Sequence, residues 1–210
     1  MSEPVVIDHP VLAHRLALLR DRRTHRDTFR QLVSEISAFL AYEALRDLGT
    51  AEVLIDTPVR SGATVRQVTE HLLVVPILRA GLGMVQAIQE VVPLTEVAHV
   101  GLRRDEATLL SEVYLNRLPK DLRGRRVIVC DPMLATGGSL AQVCALVAER
   151  GAREIIALCV IAAAPGIERF QSAHPSVVLY CAAVDPELNS VGYIIPGLGD
   201  AGDRLFGPPD

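Results

Sequence analysis

The sequence contains no tryptophan, and none of its four cysteines pairs with another as C-x-x-C. Cys130, Cys144, Cys159 and Cys181 stand far apart in apolar segments. That spacing argues against a zinc site or a disulfide framework and for buried free thiols in a reducing compartment. No uninterrupted apolar run reaches the roughly 18 residues that a membrane span needs. The opening stretch M-S-E-P-V-V-I-D-H-P lacks the charged-then-apolar layout of a signal peptide. A cytoplasmic protein with no membrane partner is the expectation. Internal repeats and low-complexity linkers are also missing, so residues 1–210 are read as a single domain. Positive charge is in deficit, and the net charge of −4 argues against general nucleic-acid binding.

What is present is apolar. Half of the residues are hydrophobic, and a chain this long buries roughly 70% of the surface it exposes when unfolded. Both facts fit an α/β protein with a buried parallel sheet. P-V-L-A-H-R-L-A-L-L-R, residues 10–20, reads as a helix with proline at its start. A second helix is marked by Phe29, Leu32, Val33, Ile36, Phe39 and Leu40 at helical spacing, and Gly49 ends that region. The arginines between and within them, from Arg20 to Arg30, read first as a solvated surface; a regulatory nucleotide or subunit contact is the alternative. Residues 51–57 suggest a strand of a hairpin or hood. Strands are then expected at 72–78, 95–102, 127–130, 154–162 and 177–182, with helices at 83–91, after 139 and at 165–172. Strand–helix alternation implies a parallel sheet with ligands at the carboxyl ends of the strands. The layout is N-terminal helices and a hood over about 1–70, a core over about 71–185, and a C-terminal segment over about 186–210.

Residues 127–139, V-I-V-C-D-P-M-L-A-T-G-G-S, organise the rest. Val127 to Cys130 suit a strand buried on both faces, Asp131 ends it, and Pro132 closes it because proline cannot donate to a ladder. Ala135, Thr136, Gly137, Gly138 and Ser139 then form a small-residue loop that opens into a helix carrying Leu140, Val143, Leu146 and Val147. Glycines let backbone amides approach an anion, and the helix dipole favours negative charge there. An ATP-binding loop would place lysine where Ser139 stands. The loop therefore suits a phosphate monoester, and Asp131 just before it suits sugar hydroxyls. A plain helix-capping turn competes with this reading for T-G-G-S alone; the ordered strand, acid, loop and helix favour the phosphate site.

This segment resembles the phosphoribosyl-pyrophosphate (PRPP) loop of the type I phosphoribosyltransferases, in the form D-P-M-L-A-T-G-G-S found in uracil phosphoribosyltransferases. The resemblance implies a Rossmann-like parallel sheet flanked by helices, and a PRPP site made of Asp131, Pro132, Met133, Leu134 and the loop to Ser139. Three further stretches carry it. In P-I-L-R-A-G-L-G, residues 76–83, an arginine follows a buried strand and precedes two glycines, and the resemblance makes Arg79 a pyrophosphate ligand. In G-L-R-R-D-E-A-T, residues 101–108, the pattern G-x-x-R-x-E-x-T gives Arg104 the same role, from a mobile loop. Arg103 stands where many relatives carry an aromatic and is assigned no role. Finally N-S-V-G-Y-I-I-P-G-L-G-D-A-G-D, residues 189–203, has too many glycines and prolines for a regular helix, yet is apolar enough to be buried. Buried irregular backbone has unpaired donors and acceptors, which a flat pyrimidine can satisfy. By resemblance Tyr193, Ile194, Gly199, Asp200 and Ala201 take uracil, and Asp200 also adjoins the PRPP ribose.

The implied reaction joins N1 of uracil to the phosphoribosyl group of PRPP, giving uridine monophosphate (UMP) and pyrophosphate. Arg79, Arg104, Asp131 and Asp200 are its implied catalytic residues. Only one acid stands at the central strand end, so the implied Mg²⁺ is carried by PRPP and water, with no metal ligands from the protein. The family also implies a homodimer or higher homo-oligomer, and activation by GTP in some members. Two alternatives remain: a phosphoribosyltransferase for a purine or orotate, and a regulator of the same fold that binds RNA.

Overall fold

A computed structural model describes residues 3–104 and 111–208. In chain order its elements are β1 (Val5–Val6), α1 (Pro10–Arg20), α2 (Arg26–Ala44), β2 (Thr50–Ile55), β3 (Ala63–Val68), β4 (Leu72–Leu78) and α3 (Leu82–Val91). Then come β5 (Glu96–Val97), β6 (Val100–Arg104), β7 (Ser111–Asn116), β8 (Arg126–Cys130), β9 (Met133–Leu134) and α4 (Gly138–Ala148). The chain closes with β10 (Glu154–Ala163), α5 (Ala164–Ala173), β11 (Val178–Asp185), β12 (Glu187–Leu188), β13 (Ile194–Ile195) and α6 (Ala201–Phe206).

One sheet runs in the order β1-β11-β10-β8-β4-β6-β7, with β5 on β4 and β9 on β10. Its pairings are parallel except for the hairpin of β6 and β7. Strand β8 lies at its centre, flanked by β4 and β10. The apolar runs follow from that position, because a strand covered on both faces cannot alternate polar and apolar residues. The pleat sends successive residues to opposite cores. Leu72, Val74, Ile128, Cys130, Ile156 and Leu158 meet Phe29, Ile36 and Leu40 of α2 on one side. Leu73, Val75, Val127, Val129, Ala157 and Cys159 meet Val143 and Val147 of α4 and Phe170 of α5 on the other. All four cysteines are free and buried. No described helix is long and apolar enough to cross a membrane.

The structure differs from the sequence expectation in four places. Strand β8 ends at Cys130 as expected, but the edge resumes past Pro132: the Pro132 carbonyl accepts the amides of Val160 and Ile161, and β9 follows at once beside β10. Lacking an N–H, proline can still anchor a neighbour through its carbonyl. The strand expected at 95–102 is two pieces, β5 and β6, joined where Ala98 donates to Val74. The glycine-rich C-terminal span is not wholly irregular either. It contains β13, paired with β12, and α6 begins inside it, capped by Asp200, which accepts the Asp203 amide at 2.9 Å. An aspartate cap and buried Leu205 outweigh the low helix propensity of glycine there. Finally, the arginines near α1 are not all solvated. Arg20 donates to Asp185 and to the Gly197 carbonyl, and Arg30 reaches the Leu205 carbonyl.

At the amino end of the sheet Arg126, with 5% of its side chain exposed, lies against Asp47, Glu70 and Glu154. Arg153 bonds Glu70 as well. Strands β2 and β3 pair only with each other, so this hairpin stands off the sheet.

Candidate functional site

Parallel strands deliver their carboxyl ends to one edge, and the chemistry-bearing side chains gather there. Strand β8 ends at Asp131, which is half-buried and accepts the Met133 amide at 3.3 Å. Burial pushes its carboxyl up to about 7; the Met133 amide opposes that rise, and the nearby Asp200 carboxylate adds to it. Asp131 and Asp200, 69 positions apart in the numbering, thus face the same space.

The loop after β9 enters α4 through Gly137, whose φ of +78° favours glycine. The first bond inside α4 runs from the Ala141 amide to the Gly137 carbonyl. The amides of Gly138, Ser139 and Leu140 precede it and point out of the helix end, where an anion is favoured. Thr136 and Ser139 are partly exposed beside them. The loop is pressed on α5: a β-carbon on Gly166 would lie 2.0 Å from the Ala135 carbonyl oxygen, and one on Gly137 would lie 2.6 Å from the Gly166 carbonyl oxygen.

Opposite the loop stands the C-terminal segment. A cavity of about 230 Å³ has Met133 and Ala135 on one wall and Val191, Gly192, Tyr193, Ile194 and Asp200 on the other. The walls close on each other, since a β-carbon on Gly192 would sit 3.9 Å from the Thr136 methyl group. The sequence reading named Tyr193, Ile194 and Asp200 for this wall and missed Val191 and Gly192. Gly199 and Ala201 flank Asp200, with Gly199 at φ +81° and Ala201 buried.

Arg79 follows β4 at the same edge, half-exposed, across a cis peptide bond from Leu78. Its guanidinium stands 3.5 Å from Asp203 on α6. Asp203 was not singled out in the sequence; it is the acid that faces this arginine. Gly81 lets the Arg79 loop touch β8, because a β-carbon there would come within 2.6 Å of the Cys130 carbonyl oxygen. Strand β6 ends on Arg104. Residues 105–110, the remainder of the second arginine loop, lie outside the described residues. Among the described residues no group of three or more His, Cys, Asp or Glu side chains is placed to hold a metal ion.

A larger cavity, about 470 Å³, lies elsewhere, among Ile7, Leu12, Phe39, Tyr42 and Val91. Its lining is nearly all apolar and lacks the amide cradle that a phosphate needs. The smaller cavity carries the polar groups and is the candidate site.

Known proteins resemble this chain over nearly its whole length. The family model for uracil phosphoribosyltransferase matches residues 6–208. The uracil phosphoribosyltransferase of Symbiobacterium thermophilum is 51% identical over 207 residues, covering 99% of both chains. A solved protein of Aquifex aeolicus superposes with a TM-score of 0.92 at 36% identity, covering 98% of each chain. A hypoxanthine-guanine phosphoribosyltransferase of Bacillus anthracis shares the fold alone, with a TM-score of 0.52 at 13% identity over 76% of this chain and 80% of its own.

Proposed function

This chain belongs to the uracil phosphoribosyltransferase family and transfers the 5-phosphoribosyl group of PRPP to N1 of uracil, giving UMP and pyrophosphate; we propose that it does so in the cavity between the Ala135 loop and the Tyr193 segment. One observation carries this placement. The cavity of about 230 Å³ lies between Met133 and Ala135, which stand between the strand-end Asp131 and the α4 N-terminus in the chain, and the Val191–Ile194 and Asp200 segment that faces them.

Each wall has a task. The amides of Gly138, Ser139 and Leu140, with the Thr136 and Ser139 hydroxyls, take the 5-phosphate of PRPP. Asp131 accepts from the ribose hydroxyls. Ile194, Tyr193 and the backbone at Gly199, Asp200 and Ala201 take uracil, offering donors and acceptors along one edge. N1 attacks the anomeric carbon as its bond to pyrophosphate breaks, and positive charge develops on the sugar. Negative charge grows on the leaving group, where Arg79 and Arg104 stabilise it more strongly in the transition state than in the substrate. Holding base and sugar in line supplies much of the rest. Mg²⁺ would arrive on PRPP as a hydrated ion, since among the described residues no group of three or more His, Cys, Asp or Glu side chains is placed to hold it. When bound it neutralises pyrophosphate charge.

The test is pyrophosphate release from PRPP and Mg²⁺ with uracil, cytosine, hypoxanthine or orotate added singly. Release with uracil alone is expected, and release with a purine or orotate but not uracil refutes the base assignment. GTP is assigned as an activator on the family resemblance, and the same assay with and without GTP decides it. The cytoplasm is the assigned compartment, where the buried thiols stay reduced.

The protein is assigned a homo-oligomeric state, built by its β2–β3 hairpin against a second copy. A two-stranded hairpin is marginal alone, and this one presents Leu54 and Val59 at 73% and 95% exposure. The apolar hollow at Phe39 and Tyr42 offers matching surface for a partner hairpin. Sedimentation velocity should show an oligomer that Leu54→Asp dissociates; a monomeric parent protein refutes the assembly.

A further inference from the structure

The segment read as the uracil wall is held from outside the cavity by an ion pair drawn from two distant elements. Arg20 is the last residue of α1, and Asp185 is the last residue of β11. The guanidinium donates from Nη2 to Asp185 Oδ1 at 2.6 Å and from Nη1 to Oδ2 at 2.8 Å. The same Nη1 donates to the Gly197 carbonyl at 2.7 Å, and Asp185 Oδ2 accepts the Gly197 amide at 3.0 Å. Both backbone groups of one glycine therefore end on the same pair. Asp185 is only 4% exposed.

Gly197 sits where its constraint matters. Its φ is +62°, and a β-carbon there would lie 2.1 Å from the Ile194 carbonyl oxygen. Fixing Gly197 fixes Ile194 on one side of it and the Gly199–Asp200 backbone on the other. The next residue is tied too: Arg204 donates from Nη1 to the Leu198 and Leu19 carbonyls, each at 2.8 Å, and lies 4.1 Å over the Phe29 ring. Neither Arg20 nor Asp185 lines the cavity.

A buried ion pair is a poor choice if stability alone is at stake, because desolvation offsets much of the attraction and apolar pairs of similar volume often do as well. Its geometry, in contrast, is specific: a fork meeting a carboxylate has one orientation. We infer that Arg20 and Asp185 are positioning residues for base recognition, holding Gly197 so that the Ile194 to Ala201 backbone presents its donors and acceptors at the distances a pyrimidine edge requires. The inference rests on the reading that this segment binds uracil.

The test uses the full-length enzyme with PRPP and Mg²⁺. One variant is Arg20→Lys, which keeps the charge and loses the fork. The other is the double variant R20M/D185L, which replaces the pair by apolar side chains and leaves Gly197 unclamped. Three quantities are read: KM for uracil, Kd for PRPP in the absence of uracil, and Tm. The expected result is a KM for uracil raised about tenfold in both variants, with PRPP affinity within twofold of the parent. For the double variant Tm should fall, because the buried Gly197 amide and carbonyl lose their partners; the unchanged PRPP affinity is what separates positioning from support of the fold. An unchanged KM for uracil, or equal losses for uracil and PRPP, overturns the inference. Hydrogen exchange of residues 194–201 in the parent enzyme, with and without uracil, tests the premise separately. Slowed exchange with uracil supports the segment's role even if the variants leave KM unmoved, whereas unchanged exchange removes the segment's role and the clamp with it.

Discussion

Gly166→Ala is a sharp probe of the loop proposed to take phosphate, because Gly166 lies outside the cavity, on α5. The added β-carbon would stand 2.0 Å from the Ala135 carbonyl oxygen, 2.7 Å from Leu134 Cδ2 and 2.9 Å from the Ala135 carbonyl carbon. A carbon–oxygen contact settles at about 3.3 Å or more, so loop and helix must separate by roughly 1.3 Å. Helix α5 is fixed by fully buried Phe170 and continues directly from β10. The loop therefore gives way, and its amides move with it. A displacement of about 1 Å at a reacting group can cost on the order of 10²-fold. We expect kcat/KM for PRPP to fall by about that factor, or roughly 2.7 kcal/mol. Overpacking adds a stability loss of about 1–3 kcal/mol, which lowers Tm by about 2–4 °C per kcal/mol for a chain of this length. Initial rates of pyrophosphate release with PRPP varied at saturating uracil, beside a thermal melt, measure both. Arg169→Ala, on the exposed side of the same helix, should change neither. A Gly166→Ala enzyme with parental kcat/KM and Tm would refute the close loop–helix contact.

Replacing Arg79 or Arg104 by alanine should raise the barrier by about 2.7–4 kcal/mol, the usual loss for one donor to developing charge. Near-normal turnover in both variants rules that role out. For Asp131→Asn the sign follows from a carboxyl held at about 7. The unfolded chain releases that proton near 3.8, so between these values the native state binds more protons, and this group's contribution to stability falls as pH rises. The parent's stability relative to Asp131→Asn should thus decline from about pH 4 to pH 7 and then level off, while its advantage in PRPP affinity grows as the carboxylate forms. Melts and PRPP titrations across that range check both, and a pH-independent difference refutes them. At the other end of the sheet, Arg126→Leu takes the guanidinium from Asp47 and Glu154 and leaves Glu70 to Arg153, and should cost about 1–3 kcal/mol. Both KM values should stay unchanged; a raised KM for PRPP contradicts the separation of this network from the site.

The sequence made the core strands and the glycine loop that opens α4 legible for one physical reason: each is a local pattern. A short apolar run such as Leu72–Leu78, rich in β-branched residues, suits a doubly covered strand, and glycines after a strand and before a helical pattern mark a turn into a helix. What could not be read was pairing across the chain. Nothing near Arg20 announces that its guanidinium will meet Asp185 and Gly197, 165 and 177 positions later. Asp203 beside Arg79, and Val191 and Gly192 in the cavity wall, are likewise consequences of how the C-terminal segment folds back. Helix α6 was hidden by composition, since its cap and its buried Leu205 are tertiary facts. For Arg104 the sequence carries the assignment unaided, as residues 105–110 lie outside the described residues.

The two ends of the sheet are built on opposite electrostatic principles, and the parallel topology is the cause. Every strand from β1 to β11 that pairs in parallel begins at one edge and ends at the other, so charges placed at strand starts meet one another and those at strand ends do the same. At the starts, Arg126 meets Asp47, Glu70 and Glu154 at 2.7, 3.4 and 2.8 Å, so each acid there has a cation of the protein beside it. At the ends, matched partners are withheld. Asp131 faces another carboxylate, Asp200, and Arg79 keeps half its side chain in solvent with a 3.5 Å partner. Two facing acids and a loosely held arginine are a poor arrangement for an empty fold and a suitable one for a ligand with sugar hydroxyls and a pyrophosphate. Substitutions should therefore sort by edge. Those at the strand starts lower Tm and spare KM, those at the strand ends do the reverse, and the Arg20–Asp185 pair is the informative exception, because it lies at the strand-end edge yet lines no part of the cavity.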